Sequence, residues 1–156
     1  TADPARNALI VTDVAREARR GAGGCLVLTD RKAHCEELQK LLAHRGVDAR
    51  LLTGDLGVRE REQVVAALLA GDCRVLVATG QLIGEGFDCP ELSTLFLATP
   101  IKFNGRLLQY LGRVLRPAPG KEKARVYDYL DPVGVLQNAA RLRRQVYGET
   151  ALRLPR

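Results

Sequence analysis

Two arginines three residues apart, Arg113 and Arg116, follow Gln109-Tyr110-Leu111-Gly112. On a helix that spacing turns both guanidinium groups to one side. Gly112 removes a side chain from the same face and lets another body approach. Converged guanidinium groups suit a transferring phosphoryl group, whose charge spreads over its equatorial oxygens. Two solvated arginines on a basic helix would look the same in isolation.

Two further segments carry chemistry. In Leu26-Val27-Leu28-Thr29-Asp30-Arg31-Lys32 a strand pattern ends in a hydroxyl, an acid and bases just ahead of a helical pattern. Helix N-terminal amides with Thr29 and Arg31 could seat a phosphate backbone, and an ordinary helix cap uses the same residue types. In Val75 to Pro90 a strand leads to Thr79-Gly80, then to Gly84-Glu85-Gly86-Phe87-Asp88-Cys89-Pro90. Gly86 permits backbone conformations closed to other residues, and Asp88 could accept from sugar hydroxyls. A surface turn capped by Asp88 is the plainer alternative.

The elements that must position these segments alternate along the chain. Asp3-Pro4 resembles an N-cap with proline at the first helical position, opening a helix to about Arg20. The short apolar runs Cys25–Thr29, Ala49–Leu52, Arg74–Ala78 and Thr94–Ala98 read as buried strands, with a last strand over Ala124–Leu130. Between them the spacing predicts helices over 32–45 (stopped by Gly46), 58–70 (closed by Gly71) and 104–115 (halted at Pro117). A basic helix is expected over 132–147, and a loose tail over 148–156. Fully apolar strands alternating with helices imply an α/β fold, a parallel sheet with helices on both faces. Ligands of such sheets gather beyond the carboxyl ends of the strands. The polar residues Thr29-Asp30-Arg31, Thr53-Gly54-Asp55 and Thr79-Gly80 collect there.

Composition narrows the partner. The 156 residues are 46% apolar and 27% charged, in the range of one globular domain that needs no disulfide or metal staple. Residues 1–99 hold 12 basic and 14 acidic side chains, whereas residues 100–156 hold 12 basic and 4 acidic ones. Nineteen of the basic residues are arginine, whose planar fork matches phosphate, so an anionic partner is expected. No apolar run approaches the ~20 residues of a membrane span. Cys25, Cys35, Cys73 and Cys89 form no CxxC pair, and neither His34 nor His44 stands at a ligand spacing from them. That suits a reduced, cytoplasmic protein using cysteine as a small hydrophobe, with no metal site. The chain starts at Thr1 and contains no Met, so it is expected to be part of a longer protein.

Two phosphate-loop patterns fail. Pro119-Gly120-Lys121-Glu122 would need glycine where Leu115 stands and a hydroxyl where Glu122 stands. Gly84-Glu85-Gly86 begins like a dinucleotide fingerprint, but Cys89 replaces its third glycine. A self-sufficient nucleotide hydrolase or dehydrogenase is therefore disfavoured. Two other classes stay open: a stand-alone nucleic-acid-binding module, and a complete α/β enzyme using Asp88 or Asp55 as acid or base.

In this order and at these spacings, the three segments resemble motifs IV, V and VI of superfamily 2 helicases. The likeness runs from about Arg6 to Asp131 and includes Thr53-Gly54-Asp55 followed by Arg61. Glu85–Pro90 and Gln109–Arg116 are more similar to the restriction-enzyme and repair branch than to the DEAD-box branch. The latter usually has Arg-Gly-Leu-Asp in motif V, His at the position of Gln109 and commonly Gln at that of Val58. The motor part of type III restriction enzymes is the nearest likeness.

The resemblance implies a RecA-like helicase C-terminal domain over 1–131, the second of two tandem motor domains. It also implies a nucleic-acid helicase or translocase whose ATP and magnesium are bound mainly by the N-terminal RecA-like domain of the same parent. By this likeness Arg113 and Arg116 would face the γ-phosphate, with Arg116 the arginine finger, and Gln109 would join the γ-phosphate water network. Gly86 and Asp88 would line the nucleotide side of the cleft. Thr29, Arg31, Thr53, Gly54 and Thr79 would hold the phosphate backbone of one strand. A structural role for Arg61 stays open. The residues do not themselves separate DNA from RNA; the branch favours DNA. Alone, the chain is expected to hydrolyse no ATP.

Overall fold

Strands β1 (Gly24–Thr29), β2 (Ala49–Leu52), β3 (Val75–Thr79), β4 (Leu92–Leu97) and β5 (Arg125–Asp128) join into one sheet of order β2-β3-β1-β4-β5. Every pairing is parallel. The computed structural model describes residues 4–20, 23–80, 92–99 and 125–129. The expected helices at 104–115 and 132–147 and the tail at 148–156 lie outside them.

Alternation along each strand sends its side chains to two separate cores. Cys25, Val27, Val75, Val77 and Phe96 meet helices α1 (Pro4–Arg20) and α2 (Lys32–His44) on one face. Leu26, Leu28, Leu76, Leu95, Leu97 and Val126 face the other way, where Leu68 of α3 (Val58–Leu69) packs. Helices therefore cover both faces, as parallel strands with no polar side require. Helix α1 presents Asn7, Ile10, Val11, Val14, Glu17 and Ala18 inward at helical spacing, and Arg19 and Arg20 lie in its last turn, where cations suit the helix dipole.

Helices α2 and α3 end at glycine. Gly46 (φ +75°) and Gly71 (φ +80°) adopt the left-handed conformation just beyond α2 and α3. The amides of Gly46 and Val47 then bond the carbonyls of Ala43 and Leu42, and those of Gly71 and Asp72 bond Leu68 and Ala67. Both stops have the paired-bond pattern that satisfies the last carbonyls of a helix. The three described cysteines are free and buried in these cores. Burial pushes the thiol of Cys25 up to about 12 and that of Cys35 up to about 11, which leaves them inert.

Boundaries shift by one or two residues from the sequence reading. β4 begins at Leu92 rather than Thr94: Leu92 pairs with Gly24 of β1, and the buried hydroxyl of Ser93 interrupts the apolar run that marks the strand in sequence. β3 runs from Val75 to Thr79, one residue later than the apolar run suggests.

Candidate nucleic-acid interface

The ladder registers put three threonines in one row at the carboxyl end of the sheet. Thr29 and Thr79 are direct partners across β1 and β3. Leu52 pairs with Ala78, so Thr53 follows beside Thr79. Neighbouring strands are ~4.8 Å apart, so the row spans about 10 Å from β2 to β1. The three polar segments recognised in the sequence are thus neighbours in space.

Their side chains differ in what they can still bind. Thr29 is fully buried, and its hydroxyl accepts from the Arg31 amide at 3.0 Å and donates to the Arg31 carbonyl at 3.1 Å. It shapes the turn into α2. The N-cap position falls on Arg31, with extended backbone and no side-chain cap bond. The first intrahelical bond runs from Cys35 to the Arg31 carbonyl, so the amides of residues 32–34 have no acceptor within the helix. Arg31 itself is exposed. Thr53 is buried and its carbonyl accepts from the Leu56 amide at 3.2 Å, closing the turn. Thr79 is half-buried, and Gly54 and Asp55 are exposed.

Arg61, in the second turn of α3, reaches back to the Gly54 carbonyl at 3.5 Å. That is a positioning contact, and it holds the Thr53-Gly54-Asp55 turn against the helix it precedes. At Gly54 a side chain would meet nothing within 4 Å, and the backbone is not left-handed. The fold itself does not require glycine there. Lys32 forms an ion pair with Asp55, joining the β1–α2 turn to the β2–α3 turn. The neighbouring carboxylate raises the Lys32 pKa.

Thr99, just past β4, was not singled out in the sequence. It is buried, and its hydroxyl accepts from the Asp30 amide at 3.0 Å. With the Ala98 amide bonding the Leu28 carbonyl at 2.8 Å, it fastens the end of β1 to the end of β4. Nothing in local spacing signals this contact, which joins residues 69 positions apart. Gly86, Asp88, Gln109, Arg113 and Arg116 lie outside the described residues. Among the described residues, no group of three His, Cys, Asp or Glu side chains could hold a metal ion, and no helix is long and apolar enough to cross a membrane.

Residues 5–118 match the helicase conserved C-terminal domain. The chain belongs to that family, within superfamily 2. This helicase C-terminal domain is 33% identical over 138 residues to UvrABC system protein B of Nitratidesulfovibrio vulgaris, covering 83% of the chain and 20% of that protein. It is 31% identical over 107 residues to IRC3 of Saccharomyces cerevisiae, covering 67% of the chain and 15% of IRC3. The chain thus spans a fifth or less of the length of these relatives. Its fold is similar to that of S. cerevisiae Dbp5 bound to RNA and ADP BeF3, with a TM-score of 0.70 and 18% identity over 96% of this chain and 38% of that one. Those values show a shared RecA-like α/β fold.

Proposed function

We propose that the chain is the second motor domain of an ATP-dependent helicase or translocase, and that the carboxyl end of its sheet grips one nucleic-acid strand by the phosphate backbone. The observation that carries this reading is the threonine row with its exposed neighbours. Thr29, Thr53 and Thr79 lie side by side, Arg31 and the open α2 amides stand beside them, and Gly54 leaves unneeded space. Amides and guanidinium groups bind phosphate oxygens without reading bases, so sequence preference should be slight. In this reading Thr29 and Thr53 act by shaping their turns, whereas Arg31, Thr79 and the Gly54 backbone touch the strand.

Family membership supports the rest. Arg113 and Arg116 would face the γ-phosphate, Arg116 as the arginine finger, with Gln109, Gly86 and Asp88 completing this domain's side of the nucleotide cleft. ATP and magnesium would be held mainly by an N-terminal RecA-like domain of the parent protein. A closed state that binds ATP better through the two arginines would couple hydrolysis to relative motion of two domains on one strand. Likeness of Glu85–Pro90 and Gln109–Arg116 to the restriction-enzyme and repair branch favours DNA as the track and a type III restriction motor as the parent.

The deciding experiment is strand binding by the chain and by Arg31→Ala/Thr79→Ala, followed by fluorescence anisotropy of a labelled single strand. The chain should bind weakly, with little base preference and with affinity that falls as salt rises. The double variant should bind several-fold more weakly with its thermal unfolding unchanged. Salt-insensitive or strongly sequence-selective binding would refute the backbone grip and favour a stand-alone binding module.

A further inference from the structure

The Lys32–Asp55 ion pair has a particular place in this fold. Lys32 opens α2 after β1, and Asp55 sits in the turn after β2. β3, which ends at Thr79, lies between those two strands, so the pair links the turns that flank it on either side. Both side chains are exposed, at 53% and 61%. An exposed pair of this kind is held weakly and exchanges partners readily. Glu36, one turn along α2 from Lys32, adds a second negative charge near the ammonium. A phosphate approaching the threonine row meets an ammonium already occupied and a carboxylate that repels it.

We propose that Asp55 is an internal phosphate surrogate: it holds Lys32 in the free domain, and a backbone phosphate of the bound strand displaces it and takes the ammonium. This inference rests on the proposed backbone grip and adds two residues with opposite effects on it. Lys32 becomes a strand contact. Asp55 becomes a restraint that lowers affinity and keeps the seat from retaining any stray polyanion. An acidic residue exposed inside an anion-binding edge otherwise only weakens that edge.

The test uses the full chain with labelled oligo-dT and oligo-U strands of equal length, read by anisotropy at several salt concentrations. Asp55→Asn should bind about threefold more tightly at low salt, the scale of an exposed charge pair. Lys32→Gln should bind more weakly, and its log–log salt slope should be shallower by about 0.7, one phosphate contact on a single strand. In the Lys32→Gln background, Asp55→Asn should gain much less, because exchange needs the ammonium. An equal gain in both backgrounds would show that Asp55 only repels phosphate, and would overturn the exchange. Weaker or unchanged binding by Asp55→Asn to both strands would overturn it too. Arg31→Ala/Thr79→Ala serves as the separate control. If that variant weakens salt-dependent binding while Asp55→Asn gains nothing, the grip stands and the surrogate falls. If that variant binds as the unaltered chain does, the grip itself fails.

Discussion

Polar residues gather in two regions of this domain, and they are treated in opposite ways. At the carboxyl end of the sheet, Arg31, Lys32, Gly54 and Asp55 are exposed and make few, weak contacts within the chain. Between α1 and β5 the polar groups close on each other. Glu17, 5% exposed, accepts from Arg125 at 3.0 Å and from the Tyr127 hydroxyl at 2.6 Å. Asp13 accepts from the Tyr129 hydroxyl at 3.0 Å, and on the adjoining α1–α2 seam His34 shares a buried 2.8 Å hydrogen bond with Asn7. Phe96 and Tyr127 stack beneath this layer at 4.6 Å. Burial makes each of these groups costly to leave unpaired. The difference separates residues that hold the fold from residues the fold leaves exposed.

The widest test carries the comparison to Arg116. In the parent protein, Arg116→Ala should lower ATP turnover by ~10³–10⁵, or roughly 4–7 kcal/mol of transition-state stabilisation, with fold and strand binding nearly intact. Arg116→Lys should lose most of the activity too, since it keeps the charge but not the planar fork. The chain alone should show no strand-stimulated turnover in a phosphate-release assay. An Ala variant with near-normal turnover would place Arg116 among ordinary solvated arginines.

On the closed side, Glu17→Ala should cost about 2 kcal/mol by urea unfolding, because it strips the acceptor from Tyr127 and Arg125 together. Part of the loss is recovered by water, since the Arg125 side chain is 39% exposed. Strand affinity should not change. A Glu17→Ala variant that unfolds normally but binds poorly would dissolve the distinction between the two regions.

The sheet was legible in the sequence because both its faces are covered, so its strands read as uninterrupted apolar runs. The stops at Gly46 and Gly71 were legible because left-handed backbone favours that residue. The polar edge was legible as three short segments after strands, and the register then made them neighbours. The α1–β5 layer was not legible. Glu17 and Arg125 are 108 positions apart, and a buried acid at a helical position looks like an exposed one until its partners are known. Thr29 shows the complementary limit: a threonine before a helix is more often a cap- or turn-forming hydroxyl than a phosphate seat, and here the hydroxyl is spent on Arg31.

Acid should loosen the closed side through His34. Burial lowers its pKa from the ordinary 6.5, and the nearby Arg6 charge acts the same way, while Glu37 and Asp30 oppose it. Among the described residues, neither His34 Nδ1 nor Asn7 Nδ2 finds a hydrogen-bond partner. The unfolded chain therefore takes up the proton at a higher pH than the native state does. Stability from this site is complete above about 6.5 and declines as pH falls toward the lowered native value. Chemical unfolding at pH 7.5 and pH 5 should show a smaller acid loss for His34→Gln than for the unaltered chain. Equal losses would clear His34 of the effect and leave the carboxylates responsible.

The smallest expected stability change falls on the open side, at Gly54. Its backbone is not left-handed and a Cβ there meets nothing within 4 Å, so alanine enters without strain or clash. Where native geometry already suits alanine, replacing glycine reduces the freedom of the unfolded chain and stabilises by about 0.4–1 kcal/mol. Gly54→Ala should therefore unfold at equal or slightly higher urea concentration. If a strand's phosphate lies against this backbone, the added methyl should weaken binding several-fold, while Gly57→Ala, with equally open space at the start of α3, should leave it unchanged. A more stable domain that binds less well has no explanation within the chain itself. Unchanged affinity for Gly54→Ala would mean that the strand passes elsewhere over the threonine row.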